Sequence, residues 1–338
     1  MPLDQSAVGW ERLCVPGRSP EPPVSANLIV AAIGDQPEPF RALLPVGYEA
    51  GVSAYRQAAN GLTVSDLSQH YTDGLRYFHE RFVPYLKEVL TELTGGAWDL
   101  SRFVGYAAGS DVDFMTHLVS AVAAEGDVKI FPGDWFGFRV GVARPERITW
   151  DEQNSGDLAC LCVPSVRNGH LTPEMTEFLK RSKACLLNIN LFPTLHPVER
   201  RQIATSLAPV LDKSVISISF SRGFGLTGSQ LGVVLVHRDH PLRQSYEAQW
   251  NWLTYFFNGI AARAFMALDL QELDRTDELR RDWVIDWAAS RALPVAETGS
   301  YYVKSFRVSG TLPPHLECLR RNELVRLCFK PPISGVSR

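Results

Sequence analysis

The residues best suited to chemistry are gathered in one segment of fourteen residues, Ser219–Gly232. Its order is Ser-Phe-Ser-Arg-Gly-Phe-Gly-Leu-Thr-Gly-Ser-Gln-Leu-Gly, so hydroxyl groups, one cation and flexible glycines are interleaved. Arg222 is a permanent cation, and its planar guanidinium group suits a carboxylate or a phosphate. Apolar runs on both sides of the segment are typical of buried strands. The pattern predicts a glycine-rich connection that presents an arginine and serine hydroxyls to an anion.

The same segment resembles the cofactor-lysine segment of class I/II aminotransferases, the fold-type-I pyridoxal phosphate enzymes. In that family the pattern is Ser-x-Ser-Lys, then a glycine-rich stretch, then Gly-x-Arg-x-Gly. Gly109 and Ser110, at a predicted helix start, are similar to the family's phosphate-binding loop, and helix N-termini bind anions well. The resemblance implies that Ser110, Ser219, Ser221 and Arg222 converge in one pocket.

The departures from the family pattern are more informative than the matches. Arg222 stands where the family has its Schiff-base lysine. A guanidinium group, whose pKa lies above about 12, does not lose its proton to attack an aldehyde. Gln230 stands where a second arginine of the family holds the cofactor phosphate. An internal aldimine at position 222 is therefore excluded, and the phosphate site has lost a charge.

Two further polar contacts of the family's cofactor ring are missing as well. The asparagine that faces the phenolic oxygen of the ring corresponds to Val166. The aspartate that pairs with the pyridinium nitrogen falls at Asn188, Ile189 or Asn190, depending on register, and none of these is a carboxylate. Without that aspartate the ring nitrogen is not held protonated, and the electron sink of the cofactor is lost. The resemblance thus implies the fold without lysine-based pyridoxal phosphate catalysis.

Other candidate residues have both a functional and a structural interpretation. Trp135 and Phe136 stack on a planar ligand or belong to the core. Asn188 and Asn190 alternate on a strand, so both face the same side, as hydrogen-bonding groups or as strand-end supports. His170, after an Asn-Gly turn, is the nearest candidate acid–base group or an exposed loop histidine.

Two arginines are candidate carboxylate anchors. Val325-Arg326-Leu327 resembles the strand whose arginine grips the substrate α-carboxylate, and the alternative for Arg326 is a surface position. Arg222 is a catalytic group, a ligand anchor, or one half of a cavity-filling ion pair with an acid such as Asp111. The candidate catalytic residues are Arg222, His170 and Asn190, and the candidate substrate-binding residues are Arg326, Ser110, Asp111, Trp135, Phe136, Asn188, Ser219, Ser221 and Gln230.

The composition is that of an ordinary globular protein. The 338 residues carry a formal charge of −3 and are 45% hydrophobic, which excludes disorder and gives no basic surface for nucleic acid or anionic lipid. No stretch approaches the roughly 20 apolar residues that span a bilayer, and the N-terminus lacks the regions of a signal peptide. Cys160 and Cys162 are expected on a buried strand, and the cysteines and histidines show no metal-ligand spacing. We expect a cytoplasmic protein without metal, nucleic-acid or membrane partners.

Short apolar runs separated by helical segments position these residues. Runs that are apolar on both faces favour a mainly parallel sheet covered by helices. Ser110 and Asp113 predict a helix start with serine as the N-cap, and the proline-rich residues 14–24 predict an extended arm. The predicted strands are Val128–Phe131, Leu158–Val163, Ala184–Leu191, Val215–Phe220, Leu231–Val236, Tyr301–Val308 and Leu324–Phe329. The predicted helical stretches are Val64–Leu93, Pro173–Lys183, Pro197–Leu211, Leu242–Ala292 and one near Pro314–Arg321.

We therefore expect an α/β, aminotransferase-like fold: a large domain with a mainly parallel sheet flanked by helices, and a small α+β lobe from both termini. The expected parts are 1–75 (N-terminal arm and part of the small lobe), 76–255 (large domain) and 256–338 (linking helix and C-terminal lobe). The leading hypothesis is an enzyme of specialised amino-acid metabolism that works without a cofactor on an amino-acid-like or other carboxylate. The alternatives are a transferase or lyase that binds pyridoxal or pyridoxamine phosphate non-covalently, and a non-catalytic ligand-binding scaffold. The resemblance also implies a homodimer.

Overall fold

The computed structural model describes residues 47–67, 71–139, 142–290, 299–307, 310–311, 320–321 and 324–329. Two sheets run through these residues. The large sheet consists of β1 (Phe103–Ala108), β2 (Val128–Ile130), β3 (Ile148–Trp150), β4 (Leu158–Cys162), β5 (Ala184–Asn188), β6 (Ser214–Ser219) and β7 (Gly232–His237). The small sheet consists of β8 (Val303–Arg307), β9 (Arg320–Arg321) and β10 (Leu324–Cys328).

Helices cover both faces of the large sheet. The α-helices are α1 (Glu49–Asn60), α2 (Val64–Leu67), α3 (Tyr71–Tyr77), α4 (Val83–Leu93), α5 (Asp111–Glu125), α6 (Pro173–Arg181), α7 (Pro197–Leu207), α8 (Pro241–Thr254), α9 (Gly259–Met266) and α10 (Leu270–Ala289). A π-helical turn, Phe78–Phe82, joins α3 to α4, and short 3-10 helices are Phe136–Arg139, Pro145–Arg147, Phe192–Thr194 and Ala208–Lys213. Within the described ranges, none of the helices combines the length and apolar character needed to cross a membrane.

The strands of the large sheet lie in the order β1-β7-β6-β5-β4-β2-β3. From β3 to β6 every neighbouring pair is parallel, whereas β7 runs antiparallel to both β6 and β1. The expected mainly parallel sheet flanked by helices is confirmed. Because parallel strands end at the same edge, the carboxyl ends of β4, β5 and β6 meet. Cys162, Asn188 and Ser217 lie in register with one another at this edge.

Apolar layers pack on both faces of the sheet, which explains why its central strands are continuous apolar runs. Along β4, Ala159 and Leu161 belong to one layer, and Cys160 and Cys162 belong to the other. Both cysteines are free and buried, and burial raises the pKa of each thiol well above its ordinary value. They therefore remain protonated and act as small apolar packing groups.

Helix α5 begins as its sequence predicts. Ser110 Oγ accepts a hydrogen bond from the backbone N–H of Val112 (3.1 Å), and Asp113 Oδ2 accepts one from the backbone N–H of Ser110 (3.1 Å). These two bonds form a capping box and fix where the helix starts. Met115 packs against the sheet as expected, but Val112, expected on the same apolar face, is 38% exposed because Asp111 occupies the inward position of the first turn.

Two features of the fold differ from the sequence patterns. No apolar pattern predicts β1, because Gly105 and two alanines interrupt it. The glycine is required there, since a Cβ atom at position 105 would come within 2.7 Å of Val83 Cγ2. The helical stretch Leu242–Ala292 is divided into α8, α9 and α10, with Asn258 and Asp269 as the N-caps of the second and third helices.

The C-terminal sheet confirms two of the predicted strands and corrects one predicted helix. Strands β8 and β10 pair antiparallel where strands were expected. The helix expected near Pro314–Arg321 is wrong at Arg320 and Arg321, which form β9 because their backbone pairs with Leu324 and Val325 of β10. Residues 312–319 and the proline-rich residues 14–24 lie outside the described residues.

Candidate functional site

The carboxyl edge of the large sheet carries a row of buried polar side chains. Cys162, Asn188 and Ser217 form the row where β4, β5 and β6 end. Asn190 and Ser219 follow one step further along the chain, beside each other. All five side chains are more than nine-tenths buried. Since ligands of open α/β sheets bind outside the carboxyl ends of the strands, this edge is the candidate site.

Asn190 joins three elements at this edge. Its Nδ2 atom donates a hydrogen bond to Asp111 Oδ2 (2.7 Å), and its Oδ1 atom accepts one from the backbone N–H of Ser219 (2.6 Å). Its own backbone N–H donates to Asn188 Oδ1 (3.0 Å). Both ends of the Asn190 amide are therefore held by protein groups. The side chain fixes the start of α5 against β5 and β6.

Two charges of opposite sign lie next to this amide. Asp111 is the first residue of α5, and burial raises the pKa of its carboxyl group, while the bond from Asn190 and the charge of Arg222 oppose the increase. Burial and the charge of Asp134 raise the pKa of the Cys162 thiol, and Arg222 again opposes them. The half-buried guanidinium group of Arg222 thus lies close to both Asp111 and Cys162.

Two serine hydroxyls at this edge have no hydrogen-bond partner among the described residues. Ser217 Oγ and Ser219 Oγ are fully buried atoms, and neither makes a hydrogen bond within the part of the chain that the structure describes. Leaving a buried polar group unsatisfied costs about 1–3 kcal/mol, so buried hydroxyls in native proteins nearly always have partners. Two such groups on neighbouring positions of one strand face are donors that a polar ligand or a buried water could engage.

Close backbone approaches set the shape of the glycine-rich segment. Ser219 pairs with Gly232, so the segment between them is the connection of a β-hairpin formed by β6 and β7. A Cβ atom at Gly223 would come within 2.7 Å of the carbonyl oxygen of Asn190, and one at Gly232 would overlap the backbone of Asp111. Glycine at these two positions therefore lets the hairpin lie directly on the start of α5 and the turn after β5.

A second buried carboxylate lies at the same edge, and the sequence patterns assigned it no role. Asp134 Oδ2 accepts a hydrogen bond from Ser165 Oγ (2.6 Å), and its Oδ1 atom accepts from the backbone N–H groups of Trp135 (2.5 Å) and Cys162 (3.3 Å). Burial raises the pKa of the Asp134 carboxyl group, and these three donors oppose the increase. Its position shortly after β2 and the alternation Ser217-Ile218-Ser219 on β6 were the available signals for these residues.

Trp135 and Phe136 follow β2 along the chain, and only the side chain of Trp135 is described. Trp135 is half-buried, and its ring lies edge-to-face against Phe138 with the ring centroids 5.3 Å apart. A Cβ atom at Gly137 would overlap the Trp135 ring, so the indole packs on its own 3-10 turn. The side chain of Phe136 lies outside the described residues. Trp135 thus packs on its own turn and remains partly exposed.

The remaining candidates are spread over three places. Ser221 is half-buried beside Arg222, and Gln230 is exposed, with a positive φ of 43°. Arg326 lies on β10 opposite Ser305 of β8, and its side chain is outside the described residues. Within the described ranges, no group of three or more histidine, cysteine or acidic side chains is arranged to hold a metal ion.

His170 lies in a different setting from the polar row. Its Nδ1 atom is 3.5 Å from Glu199 Oε1, and Glu199 Oε2 accepts a hydrogen bond from the backbone N–H of Gly299 (2.7 Å). Lys304 is buried beside this pair, and burial lowers the pKa of its ammonium group to about 8, although Glu199 opposes the decrease. His170 therefore belongs to a charged cluster where the large sheet meets the start of β8.

Comparison with known proteins decides the fold. No protein-family model and no curated protein sequence matches the chain, but solved structures do. A histidinol-phosphate aminotransferase from Sinorhizobium meliloti, in complex with pyridoxal-5′-phosphate, has a TM-score of 0.57 and 16% identity, over 93% of this chain and 92% of that chain. The L,L-diaminopimelate aminotransferase from Chlamydomonas reinhardtii has a TM-score of 0.61 and 14% identity, over 85% and 81%. This chain has the aminotransferase fold.

Another similar structure has a different described activity. The pyridoxal phosphate-bound C–S lyase from Staphylococcus hominis has a TM-score of 0.56 and 12% identity, over 78% of this chain and 76% of that chain. At such identities the likeness establishes the aminotransferase fold alone, because one fold supports several reactions. Function has to be argued from the residues at the carboxyl edge.

In this aminotransferase fold, a second polar cluster supports the glycine-rich segment from behind. The hydroxyl groups of Tyr48 and Tyr301 both donate to Asp277 Oδ1, the second over 2.7 Å. Arg280 donates to Tyr301 Oη (3.2 Å) and to the carbonyl oxygen of Gly47 (2.7 Å), and its guanidinium carbon lies 3.9 Å from the centroid of the Tyr48 ring. Burial raises the pKa of Asp277 to about 6, and the two tyrosine hydroxyls oppose the increase.

This cluster leads to a prediction about stability and pH. A pKa of about 6 instead of 3.8 means that the folded state binds the Asp277 proton more tightly than the unfolded chain does. Its contribution to stability is complete below about pH 4 and is lost as the pH rises through 6. Asp277→Asn keeps an acceptor oxygen but does not titrate. Between pH 4.5 and 7, the free energy of unfolding of the wild type should fall by about 2 kcal/mol relative to the variant. Urea titrations at several pH values measure this, and parallel profiles would show that Asp277 has an ordinary pKa.

Proposed function

We propose that this chain is a transferase or lyase for amino-acid-like carboxylates that holds pyridoxal phosphate or pyridoxamine phosphate without a covalent bond. The two buried hydroxyls of Ser217 and Ser219 carry the proposal, because they lie at the edge where Arg222 approaches Asp111 and Cys162 and where open α/β sheets bind ligands. Two of the similar structures contain pyridoxal phosphate. The polar floor of the site also argues against an apolar plug, which a non-catalytic scaffold would be expected to have.

The residues at this edge fit non-covalent binding and do not fit covalent attachment. Arg222 has no condensable amine, so it holds an anionic group by charge and hydrogen bonding. Ser217 and Ser219 offer hydroxyl donors that no described protein group uses. Asn188 and Asn190 replace a carboxylate at the end of β5. The donor set thus suits a phosphorylated or carboxylated ligand that enters and leaves as a free molecule.

In this proposal the chain's own residues bind and orient, while the cofactor, when bound, supplies electron withdrawal from the reacting carbon. Arg222 neutralises an anionic group, and the Ser219 hydroxyl donates to the same group. Asn190 is a positioning residue, because both ends of its amide are engaged and it holds the Asp111 carboxyl group in place. Arg326 is proposed to anchor the substrate carboxylate, as the resemblance implies. His170 is proposed only as part of the charged cluster with Glu199.

Equilibrium titration tests the proposal. We expect both phosphates to bind the wild type saturably, and borohydride reduction with pyridoxal phosphate to leave no label in the segment that carries Arg222. Ser219→Ala should weaken binding about tenfold, because one charge-assisted hydrogen bond is lost. Ser214→Ala is a matched control on the same strand, since Ser214 Oγ already donates to the Val210 carbonyl (2.7 Å), and it should leave affinity unchanged. Absence of saturable binding of either phosphate by the wild type would refute the proposal.

A second candidate is a cofactor-independent enzyme acting on an amino-acid-like or other carboxylate. The observation that favours it is the pair of carboxylic acids, Asp111 and Asp134, whose pKa values burial raises at the same edge. Carboxyl groups in such surroundings are suited to act as general acids. The same titration separates the two candidates, because this one requires binding of a simple amino acid or carboxylate and none of the phosphorylated pyridines.

We also propose that two copies of the chain associate, as the resemblance implies. In support, a group of large apolar side chains is exposed on the surface of α8 and the start of α9, namely Trp252 (64% exposed), Phe256 (56%) and Ile260 (39%). Contiguous exposed apolar side chains of this size often mark contact surfaces.

A further inference from the structure

The glycine-rich segment makes close contacts with other parts of the protein at two of its glycines, Gly223 and Gly225. On one side, Gly223 lies against the carbonyl oxygen of Asn190. On the other side, Gly225, which has a φ of 64° in the left-handed region, lies against the ring of Tyr48, and a Cβ atom at this position would overlap that ring. Arg222 lies just before this pair of contacts. The path of the backbone that carries its guanidinium group is thus bounded by the turn after β5 and by Tyr48.

The Tyr48 ring is itself held in place from the opposite direction. Its hydroxyl group bonds to Asp277 of α10 and lies 2.6 Å from the hydroxyl group of Tyr301, near the start of β8. Arg280 covers the face of the ring at 3.9 Å. Tyr48, Tyr301 and Arg280 are each at most 1% exposed. Hydrogen bonds between buried charged and hydroxyl groups resist displacement because water cannot replace them. The ring is therefore a fixed support.

We propose that Tyr48 is a positioning residue for Arg222: its ring, fixed by Asp277, Tyr301 and Arg280, presses on Gly225 and sets the conformation of the segment that carries the guanidinium group. The contact transmits the placement of α10 and the start of β8 to the candidate site. The structural part of this proposal stands on geometry alone, and only its consequence for ligand binding rests on the proposed function.

Two backbone hydrogen bonds inside the segment report its conformation. The N–H of Leu226 donates to the carbonyl oxygen of Phe220 (3.0 Å), and the N–H of Ser229 donates to the carbonyl oxygen of Leu226 (3.0 Å). Amide hydrogen exchange at Leu226 and Ser229 therefore measures how often the segment opens. Exchange in β6, residues Ser214–Ser219, serves as the internal reference because these amides belong to the sheet core.

Three variants test the proposal. In Tyr48→Leu, which removes the ring, exchange at Leu226 and Ser229 should become about tenfold faster relative to β6. Tyr48→Phe keeps the ring against Gly225 and should restore exchange to near the wild-type ratio, even if it lowers the melting temperature. Phe78→Leu removes another fully buried ring of the same apolar layer, whose ring contacts among the described residues are with His79, Phe82 and Phe257 and not with the segment itself, and should leave the ratio unchanged.

Binding of pyridoxamine phosphate provides the second readout. Tyr48→Leu should weaken its affinity about tenfold relative to Phe78→Leu at matched stability. An unchanged exchange ratio in Tyr48→Leu, or an equal increase in Phe78→Leu, would overturn the positioning role whatever the ligand does. If the wild type binds no pyridoxamine phosphate, the proposed function fails, and the exchange ratio still decides whether Tyr48 positions the segment.

Discussion

Replacing Gly232 with alanine is expected to destabilise the protein strongly. Gly232 begins β7, between Ala108 of β1 and Ser219 of β6. The added Cβ atom would overlap the backbone of Ser110 and Asp111, where the chain passes over β7 to start α5. Backbone atoms cannot rotate away as a side chain can. We expect a loss of about 3–5 kcal/mol in the free energy of unfolding, measured by urea denaturation.

Gly228→Ala is the matched control within the same segment. Gly228 has a positive φ of 74°, and among the described residues no heavy atom lies within 4 Å of the position of an added Cβ atom. This variant carries only the cost of a left-handed alanine, about 1–2 kcal/mol. Equal losses in the two variants would mean that the close approach of Gly232 to the start of α5 does not constrain the fold.

Arg222→Lys is expected to create a site of covalent labelling at position 222. A lysine there supplies the amine that the arginine lacks, so incubation with pyridoxal phosphate and borohydride should attach about one pyridoxyl group at position 222, detected by mass spectrometry of the peptides. Transaminase turnover should still be absent. By the resemblance, Asn188 and Asn190 stand at the end of β5 in place of a carboxylate, so the nitrogen of a bound pyridine ring would lack the group that holds it protonated.

Peptide mapping is essential to this experiment because lysines elsewhere in the chain also react with pyridoxal phosphate, and one of them, Lys304, has an unusual environment. Lys304 is 2% exposed, and burial lowers its pKa to about 8. Preferential label on buried Lys304 in the wild type would contradict the view that no amine of the chain reaches the bound ligand. Arg222→Met, which provides no amine, should remain unlabelled at position 222. Measurable transamination by Arg222→Lys would show that an asparagine suffices where we expect a carboxylate to be required.

The sequence predicts the large-domain architecture well because its signals are local. Continuous apolar runs mark β4 to β7, and the Ser110 and Asp113 spacing marks the start of α5. β1 escapes detection for a physical reason: Gly105 is demanded by Val83, a residue that no pattern around position 105 reveals. A tertiary contact thus requires glycine at a strand position where local propensity disfavours it.

The site is less predictable than the fold, since its chemistry depends on partners that are distant in sequence. Asn190 is recognisable as a polar strand-end residue, but its bonds to Asp111 and Ser219 follow only from the packed sheet. Asp134 has its donors at Cys162 and Ser165, about thirty residues away. For Arg222 the sequence excludes a Schiff base at position 222, because a guanidinium group does not condense with an aldehyde. The residues that surround the guanidinium group follow only from the order of the strands in the sheet.

The hairpin pairing of Ser219 with Gly232 has a mechanical consequence. Both ends of the segment that carries Arg222 continue directly into central strands of one sheet. Neither end of the segment can therefore move away from the sheet. We expect the backbone that carries Arg222 to keep its position when a ligand binds or leaves.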